Sequence, residues 1–187
     1  MSEFEDKTND ELWNDMAHAN TFDKGQILFE LGRRKTADNE YHQALAFYSQ
    51  AVDVYRDSMY EREYGLALLF KGNAHHALEE YDAAIELYIE CADITKALGS
   101  DPDVAVVEHN MARSYAEMKN WEQAAIHSRA AEHLYEACDH YQSAADAAIM
   151  NGGMHRRMGD YHEALHSFLR AYSHAEGLES IHNAYRA

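Results

Sequence analysis

The residues with the clearest chemical potential in this chain are two histidines and a glutamate in its last quarter. His162, Glu163 and His166 form the segment HEALH, which matches the H-E-x-x-H pattern of zinc hydrolases. On a helix the two imidazoles would lie one turn apart on one face and could bind a metal ion, and the glutamate could activate a water molecule. Catalysis also needs a third ligand, and the residue six positions after His166 is Tyr172, which cannot serve as the usual one. The pattern is therefore incomplete as a zinc-hydrolase site.

Chance accounts for the HEALH match. The chain has 13 histidines in 187 residues. At its histidine and glutamate content, about 0.09 random occurrences of the pattern are expected. We therefore predict no enzyme activity, no cofactor and no metal. Two alternatives remain: a zinc-dependent hydrolase that uses HEALH, and weak, non-catalytic chelation of a transition metal by His162 and His166.

A repeat with a period of 40 residues runs through the chain. An aromatic residue followed three positions later by alanine occurs four times, starting at Tyr41, Tyr81, Trp121 and Tyr161. Twelve residues before each of these alanines stands a small residue, in the order Gly32, Gly72, Ala112 and Gly152. A second small site follows the aromatic anchor, at Ala51, Cys91, Ala131 and Ala171. Cys91 is therefore predicted to be a packing residue and not a reactive thiol.

The composition is that of a helical protein. One proline and nine glycines in 187 residues favour helices over sheets. We place the first helix of each period, the A helix, near 22–38, 60–78, 102–118 and 142–158. We place the second, the B helix, near 40–56, 80–97, 120–137 and 160–175. Asn39, Asn120 and Asp160 are predicted to cap B helices.

This arrangement resembles the tetratricopeptide repeat family, whose units have a small residue late in helix A and an aromatic residue and an alanine early in helix B. The resemblance covers about residues 22 to 175, although the period of 40 is longer than the commoner one of about 34. It implies an all-α fold, a right-handed α-α superhelix. Its four helix–turn–helix repeats are expected at about 22–58, 59–99, 100–139 and 140–177.

Both ends of the repeat array are expected to carry caps. In the acidic N-terminal segment, residues 1–21, Thr8 to Glu11 form a capping-box pattern that opens a short helix. This helix carries Leu12, Trp13 and Met16 on one side, and it either covers the first A helix or occupies the ligand groove. In the C-terminal capping segment, residues 178–187, a closing helix could contain Leu178, Ile181 and Tyr185.

The A helices of this family line a concave groove, so the resemblance assigns ligand binding to A-helix side chains near the small-residue site. At the matching positions this sequence has Phe29, Arg33, Leu69, Asn73, His76, His109, Asn110, Arg113, Ile149, Arg156 and Arg157. Four of these residues are arginines, which bind carboxylates through paired hydrogen bonds. We predict a non-catalytic protein–protein interaction adaptor that binds a protein or peptide, either acidic or with a C-terminal carboxylate.

Two alternatives to this prediction stay open. The arginines could pair with Glu30, Glu117 and Asp146 on the same face and form a charge lattice without a ligand. The chain could also be a peptide-sensing regulatory protein that changes conformation when its ligand binds.

The overall charge limits the classes of partner. The chain has 16 Lys and Arg against 33 Asp and Glu, a formal net charge of −17. Such a surface repels nucleic-acid phosphates and anionic lipids, so neither nucleic acid nor a membrane is an expected partner. The first residues, MSEFEDKTNDEL, are acidic where a secretory signal would be basic and then apolar, and the two cysteines form no CxxC pair. We therefore expect a cytoplasmic protein that is a monomer or a homodimer.

Overall fold

The computed structural model describes residue 4 and residues 6–184, with side chains up to residue 176. All regular secondary structure in these residues is α-helical, which confirms the predicted all-α class. The helices are α1 (Asn9–Met16), α2 (Thr21–Ala37), α3 (Tyr41–Tyr55), α4 (Glu61–Ala77), α5 (Tyr81–Ala97), α6 (Asp101–Glu117), α7 (Trp121–Ala137), α8 (Tyr141–Met158) and α9 (Tyr161–Ala184). None of these helices combines the length and the apolar character that crossing a bilayer requires.

The helices alternate as predicted, and each A–B turn has the same backbone geometry. Two residues before the aromatic anchor, φ is 60° at Asn39, 63° at Glu79, 59° at Lys119 and 83° at Gly159. This left-handed conformation costs a residue other than glycine about 1–2 kcal/mol. The predicted cap at Asn39 is therefore wrong, because that residue takes the left-handed position and Glu40 precedes the helix without a side-chain cap.

The other two predicted caps of the B helices are present. The N–H groups of Gln123 and Glu163 each donate a hydrogen bond of 3.3 Å, to the side chains of Asn120 and Asp160 respectively. A cap at these two positions satisfies one of the backbone donors that the first helical turn leaves without a partner.

The described residues form two compact units that divide between Ile94 and Thr95, inside α5. In unit 1, α2, α3 and α4 meet around an aromatic cluster of Phe29, Tyr48 and Phe70. The ring centroids of Phe29 and Phe70 lie 4.8 Å apart, edge to face, and Tyr48 lies 5.7 Å from each. Such pairs add to the stabilisation gained by burying the rings.

Helix α1 covers the outer side of α2. The capping box between Thr8 and Glu11 is present as predicted. Leu12 is fully buried in a cluster with Ile27 and Leu31 of α2, whereas Trp13, predicted on the same side, is half-exposed. Helix α1 therefore packs on α2 through Leu12, and its role as a cap stays a prediction.

The small-residue sites are explained by contacts between a ring and a backbone. A Cβ atom at Gly32, Gly72 or Gly152 would lie 2.6–2.7 Å from a ring carbon of Tyr48, Tyr88 or Phe168 respectively. These glycines allow the ring of the B helix to lie directly on the A-helix backbone. Cys91, at the second small site, is buried as predicted.

In unit 2, α6, α7 and α8 pack mainly through alanine. One cluster contains Tyr135 and the small residues Ala105, Ala131, Ala144 and Ala147. Another joins Ala124 and Ala125 of α7 to Met154 of α8. Small side chains allow close approach of these helices, and the methionine fills the remaining space.

Helix α9 presents an apolar stripe to solvent. Tyr161, Leu165 and Leu169 are 72%, 56% and 56% exposed, whereas Ala125, at the position of Leu165 in the third repeat, is buried against α8. The backbone of Leu178 and Ile181 continues α9 without a break, and their role in closing the array stays a prediction. Tyr185 lies outside the described residues.

Candidate functional site

The predicted groove residues of unit 1 are largely engaged within the unit. Phe29 belongs to the aromatic cluster, and Leu69 is half-buried on α4. Asn73 accepts a 2.8 Å hydrogen bond from the Tyr88 hydroxyl through its amide oxygen. The His76 ring lies edge to face on Tyr81 at 5.4 Å. These contacts leave little of this face available for a ligand.

Arg33, the arginine of the unit 1 groove set, is paired with a carboxylate on its own helix. Its Nε and Nη2 donate to the two carboxylate oxygens of Glu30 at 2.9 and 3.2 Å, and Arg34 adds a bond of 2.8 Å. Burial raises the pKa of Glu30, but the hydrogen bonds from Arg33 and Arg34 outweigh it and hold that pKa below its usual value. The charge-lattice alternative therefore applies to Arg33.

Two other predicted residues, both in unit 2, have roles different from the predicted one. Asn110 is buried, 9% exposed, and does not project from α6 into a groove. The Arg157 guanidinium lies 4.7 Å from the centroid of the Trp121 ring, a cation–π contact that fastens the end of α8 to the start of α7.

The remaining unit 2 residues form a face that is open to solvent. Arg113 on α6 and Arg156 on α8 are exposed, and Ile149 between them in sequence is 53% exposed. Within the described part of the chain, neither guanidinium has a carboxylate oxygen within 4.0 Å. The charge-lattice alternative, which paired these arginines with Glu117 and Asp146, is not realised here.

His109 lies beside these groups and is only partly satisfied. Its Nδ1 is buried and has no hydrogen-bond partner within the described residues. Burial and then the neighbouring Arg113 lower the pKa of His109, and Asp146 opposes them. These surroundings favour the neutral form of the imidazole, whose Nδ1 is enclosed by the protein. We call His109, Arg113, Ile149 and Arg156 the unit 2 A-helix face.

Sequence reasoning missed two features of unit 2. Val106, one helical turn before His109, is 36% exposed and extends the apolar part of the face. Glu132 is 1% exposed and pairs with Arg170 and His174 of α9. The three-residue spacing from Val106 to His109 could have indicated the first residue. Nothing in the repeat pattern marks Glu132, since its counterparts in the first two repeats are Val52 and Ala92.

The HEALH residues lie on the outer side of α9, as their register predicts. The His162 side chain is 76% exposed and that of Glu163 is 42% exposed. One ligand atom from each of His162, Glu163 and His166 falls within 4.8 Å of the others. Within the described residues no further histidine, cysteine or carboxylate joins this group, so the third ligand that a zinc hydrolase needs beside the two histidines is not supplied there.

Comparison with known proteins identifies the repeat. Residues 63–143 match the tetratricopeptide repeat family. No curated protein matches the sequence at a significant level.

Solved structures extend the likeness to almost the whole chain. The apo form of RapI has a TM-score of 0.83 at 15% identity, over 90% of this chain and 47% of RapI. A Rap protein complexed with competence and sporulation factor has a TM-score of 0.76 at 14% identity, over 91% of this chain and 48% of that one. MamA has a TM-score of 0.75 at 14% identity, over 96% of this chain and 99% of MamA.

At these identities the likeness shows the fold alone, and this chain spans about half the length of both Rap structures. The match at residues 63–143 lies inside the array of A and B helices described above, which continues on either side of it. Residues 63–143 are therefore tetratricopeptide repeats, and the helices on either side of them continue the fold of the solved structures above.

Proposed function

We propose that the chain is a non-catalytic adaptor that binds a carboxylate-bearing peptide segment on the unit 2 A-helix face. The tetratricopeptide-repeat fold supports a protein-interaction adaptor in general terms. The observation that carries the finer proposal is the pair of exposed arginines, Arg113 and Arg156, that lack a carboxylate partner within the described residues.

The chemistry of this face suits an acidic segment. In a molecule with a net charge of −17, two guanidinium groups without a carboxylate partner among the described residues attract carboxylates, and each can bind one through two parallel hydrogen bonds. Ile149 and Val106 supply exposed apolar contact area. Positive charge next to exposed apolar area favours a peptide over a simple anion.

A structural neighbour adds support at the level of the fold. A Rap protein with the same fold was solved in complex with competence and sporulation factor. That complex is compatible with ligand binding by this chain. Unit 1 is a weaker candidate, because Arg33 is neutralised by Glu30 and Asn73 is held by Tyr88.

Selection from a library of random octapeptides on the immobilised chain tests the proposal. Enriched peptides are expected to carry Asp, Glu or a free C-terminal carboxylate. Each hydrogen bond to a charged group contributes about 1.5–3 kcal/mol, so the double variant R113A/R156A should bind these peptides at least about tenfold more weakly. Fluorescence anisotropy with one enriched, labelled peptide gives the dissociation constants.

The matched control is the double variant R56A/R62A, which removes the same charge from two exposed arginines of unit 1. It should bind the enriched peptides as the wild type does, apart from a small effect of net charge. Enrichment of basic peptides, or equal weakening by the two double variants, would contradict the proposal.

A further inference from the structure

Helix α9 brings two imidazoles and a carboxylate together on its solvent side. The ring centroids of His162 and His166 lie 4.3 Å apart. His162 Nδ1 lies 3.9 Å from a carboxylate oxygen of Glu163. One donor atom from each of the three residues lies within 4.8 Å of the other two. The helix thus gathers two nitrogen donors and one oxygen donor within a single turn.

The three donors can bind one ion if their side chains rotate. In the tetrahedral geometry of zinc, two ligands with bonds of about 2.1 Å lie about 3.4 Å apart. The observed separations, up to 4.8 Å, are longer than this, so the side chains must move to bind one ion. Both histidines are exposed, and exposed side chains change rotamer on a nanosecond timescale. Rotation about the side-chain bonds can therefore bring the three donors closer together.

The donor set selects a class of metal ion. Imidazole nitrogen suits zinc, copper and nickel, whereas magnesium and calcium require several oxygen ligands, and only one carboxylate is present here. Three donors on one side of an exposed helix leave the remaining coordination positions to water. Such a site lacks the enclosed, ordered surroundings that catalytic zinc requires.

We propose that His162, Glu163 and His166 form a surface site for one borderline divalent cation, Ni²⁺, Cu²⁺ or Zn²⁺, that holds the first two turns of α9 together. The site lies on a B helix, so it is separate from the unit 2 A-helix face and does not depend on the proposed peptide binding. It borders the exposed stripe, because Leu165 follows His162 by three residues and Leu169 follows His166 by three.

The repeat provides an internal control for this site. Position 42 in α3 corresponds to position 162, and there an exposed His42 is followed four residues later by the exposed Ala46. The first repeat therefore has one histidine of the pair in the same register and no chelate. The substitution A46H would create the pair there.

Isothermal titration of the full chain with Ni²⁺, expressed without a histidine tag, tests the proposal. The wild type is expected to bind one Ni²⁺ ion more tightly than any further Ni²⁺ ion. H166A should weaken that binding at least tenfold, E163Q should weaken it less, and H42A should leave it unchanged. Adding A46H to the H162A/H166A variant should restore a Ni²⁺ site.

Thermal unfolding monitored by circular dichroism gives a second readout. Saturating Ni²⁺ should raise the Tm of the wild type and of H42A by the same amount, and should raise that of H166A less. Equal Ni²⁺ affinities for the wild type and H166A would overturn the site. A wild-type Tm that Ni²⁺ does not change would overturn the clamping of α9.

Discussion

Glu132 shows how a single buried charge can join two helices of the last repeats. Its carboxylate, 1% exposed, accepts hydrogen bonds from Arg170 Nε and Nη2 at 2.7 and 3.3 Å. His174 Nε2 lies 3.3 Å from the same carboxylate. The neighbouring side chains Ser128, Asn151 and Ser167 form a connected, fully buried network of hydrogen bonds. A buried charge costs little only when its partners remain in place.

Replacing Glu132 with alanine should destabilise unit 2. Breaking a buried ion pair costs about 3–5 kcal/mol, but Arg170 is 29% exposed and can recover some hydration. We therefore expect a loss of about 2–3 kcal/mol in the free energy of unfolding. Urea unfolding monitored by Trp121 fluorescence in a W13F background reports on unit 2.

The control for this substitution is D53A. Asp53 pairs with Arg56 at 3.3 Å, with both side chains more than half exposed, so its removal should cost less than about 0.5 kcal/mol. Equal effects of E132A and D53A would show that burial of the Glu132 pair has no energetic consequence.

His109 should make stability depend on pH. Burial, and next Arg113, lower its pKa from the usual 6.5, and Asp146 acts against them. Below pH 6.5 His109 becomes protonated in the unfolded chain but stays neutral to lower pH in the folded chain. The free energy of unfolding therefore falls as the pH falls. H109Q should remove this part of the dependence.

The measurement is the difference in unfolding free energy between pH 7.5 and pH 5.5 for the wild type and H109Q. The other histidines are common to both proteins, so their contribution cancels. The wild type should lose more stability on acidification than H109Q. The same loss in both would contradict a lowered pKa in the folded state.

At the scale of the helical element, the contact between a small residue of the A helix and a ring of the B helix explains why the third repeat has different residues at both positions. Gly32, Gly72 and Gly152 each lie under an aromatic ring. In the third repeat the glycine is replaced by Ala112 and the aromatic residue by Ser128. The methyl group of the alanine is therefore accompanied by a small residue on the B helix. The two positions change together because they share one space.

G72A should therefore destabilise unit 1. Its Cβ would lie 2.6 Å from the Tyr88 ring, and that ring is held by the hydrogen bond of its hydroxyl to Asn73. Overpacking of this kind costs about 1–3 kcal/mol, more than the gain of up to about 1 kcal/mol in helix propensity. Urea denaturation gives the change in the free energy of unfolding.

Two further variants make this test specific. G153A, where a Cβ would meet nothing within 4 Å, should stabilise by about 0.5–1 kcal/mol because only the propensity changes. G72A should cost less in a Y88S background, which reproduces the third repeat. Strictly additive effects of G72A and Y88S would refute the shared-space explanation.

The repeat period allowed the helices to be predicted from sequence, because every unit repeats one hydrophobic pattern in fixed register. Predicted and observed helix ends differ by a few residues at most, apart from α9. The groove residues were less predictable. The Tyr88 hydroxyl donates a hydrogen bond to Asn73, and the Arg157 guanidinium lies against the Trp121 ring. Both contacts reduce what these side chains can offer to a ligand. Register places a side chain on a face but does not determine which neighbour it contacts.

At the scale of the whole molecule the excess of acid is the dominant property. The 33 acidic residues outnumber the 16 basic ones, and several of the latter, such as Arg33, Arg34 and Arg170, are paired with buried carboxylates. Most of the excess negative charge lies on the surface, where it opposes the compact state through mutual repulsion.

Modest salt should therefore stabilise this protein. Between about 0.01 and 0.15 M salt the Debye length falls from about 30 to 8 Å, which screens repulsion between distant carboxylates more than it weakens close ion pairs. The Tm should rise over this range in NaCl and equally in KCl. A Tm that falls with salt would mean that attractive pairs dominate.

A substitution at one position of α5 tests the charge repulsion locally. Glu86 is exposed and lies four residues from both Asp82 and Glu90, so two like-charge pairs repel along one helix face. E86K turns both into attractive pairs and should stabilise by about 0.5–1 kcal/mol at low salt, with E86Q about half as effective. Because this gain is electrostatic, it should shrink at 0.15 M salt, whereas a gain from helix propensity would not. The Tm of the wild type, E86Q and E86K at both salt concentrations separates the two causes.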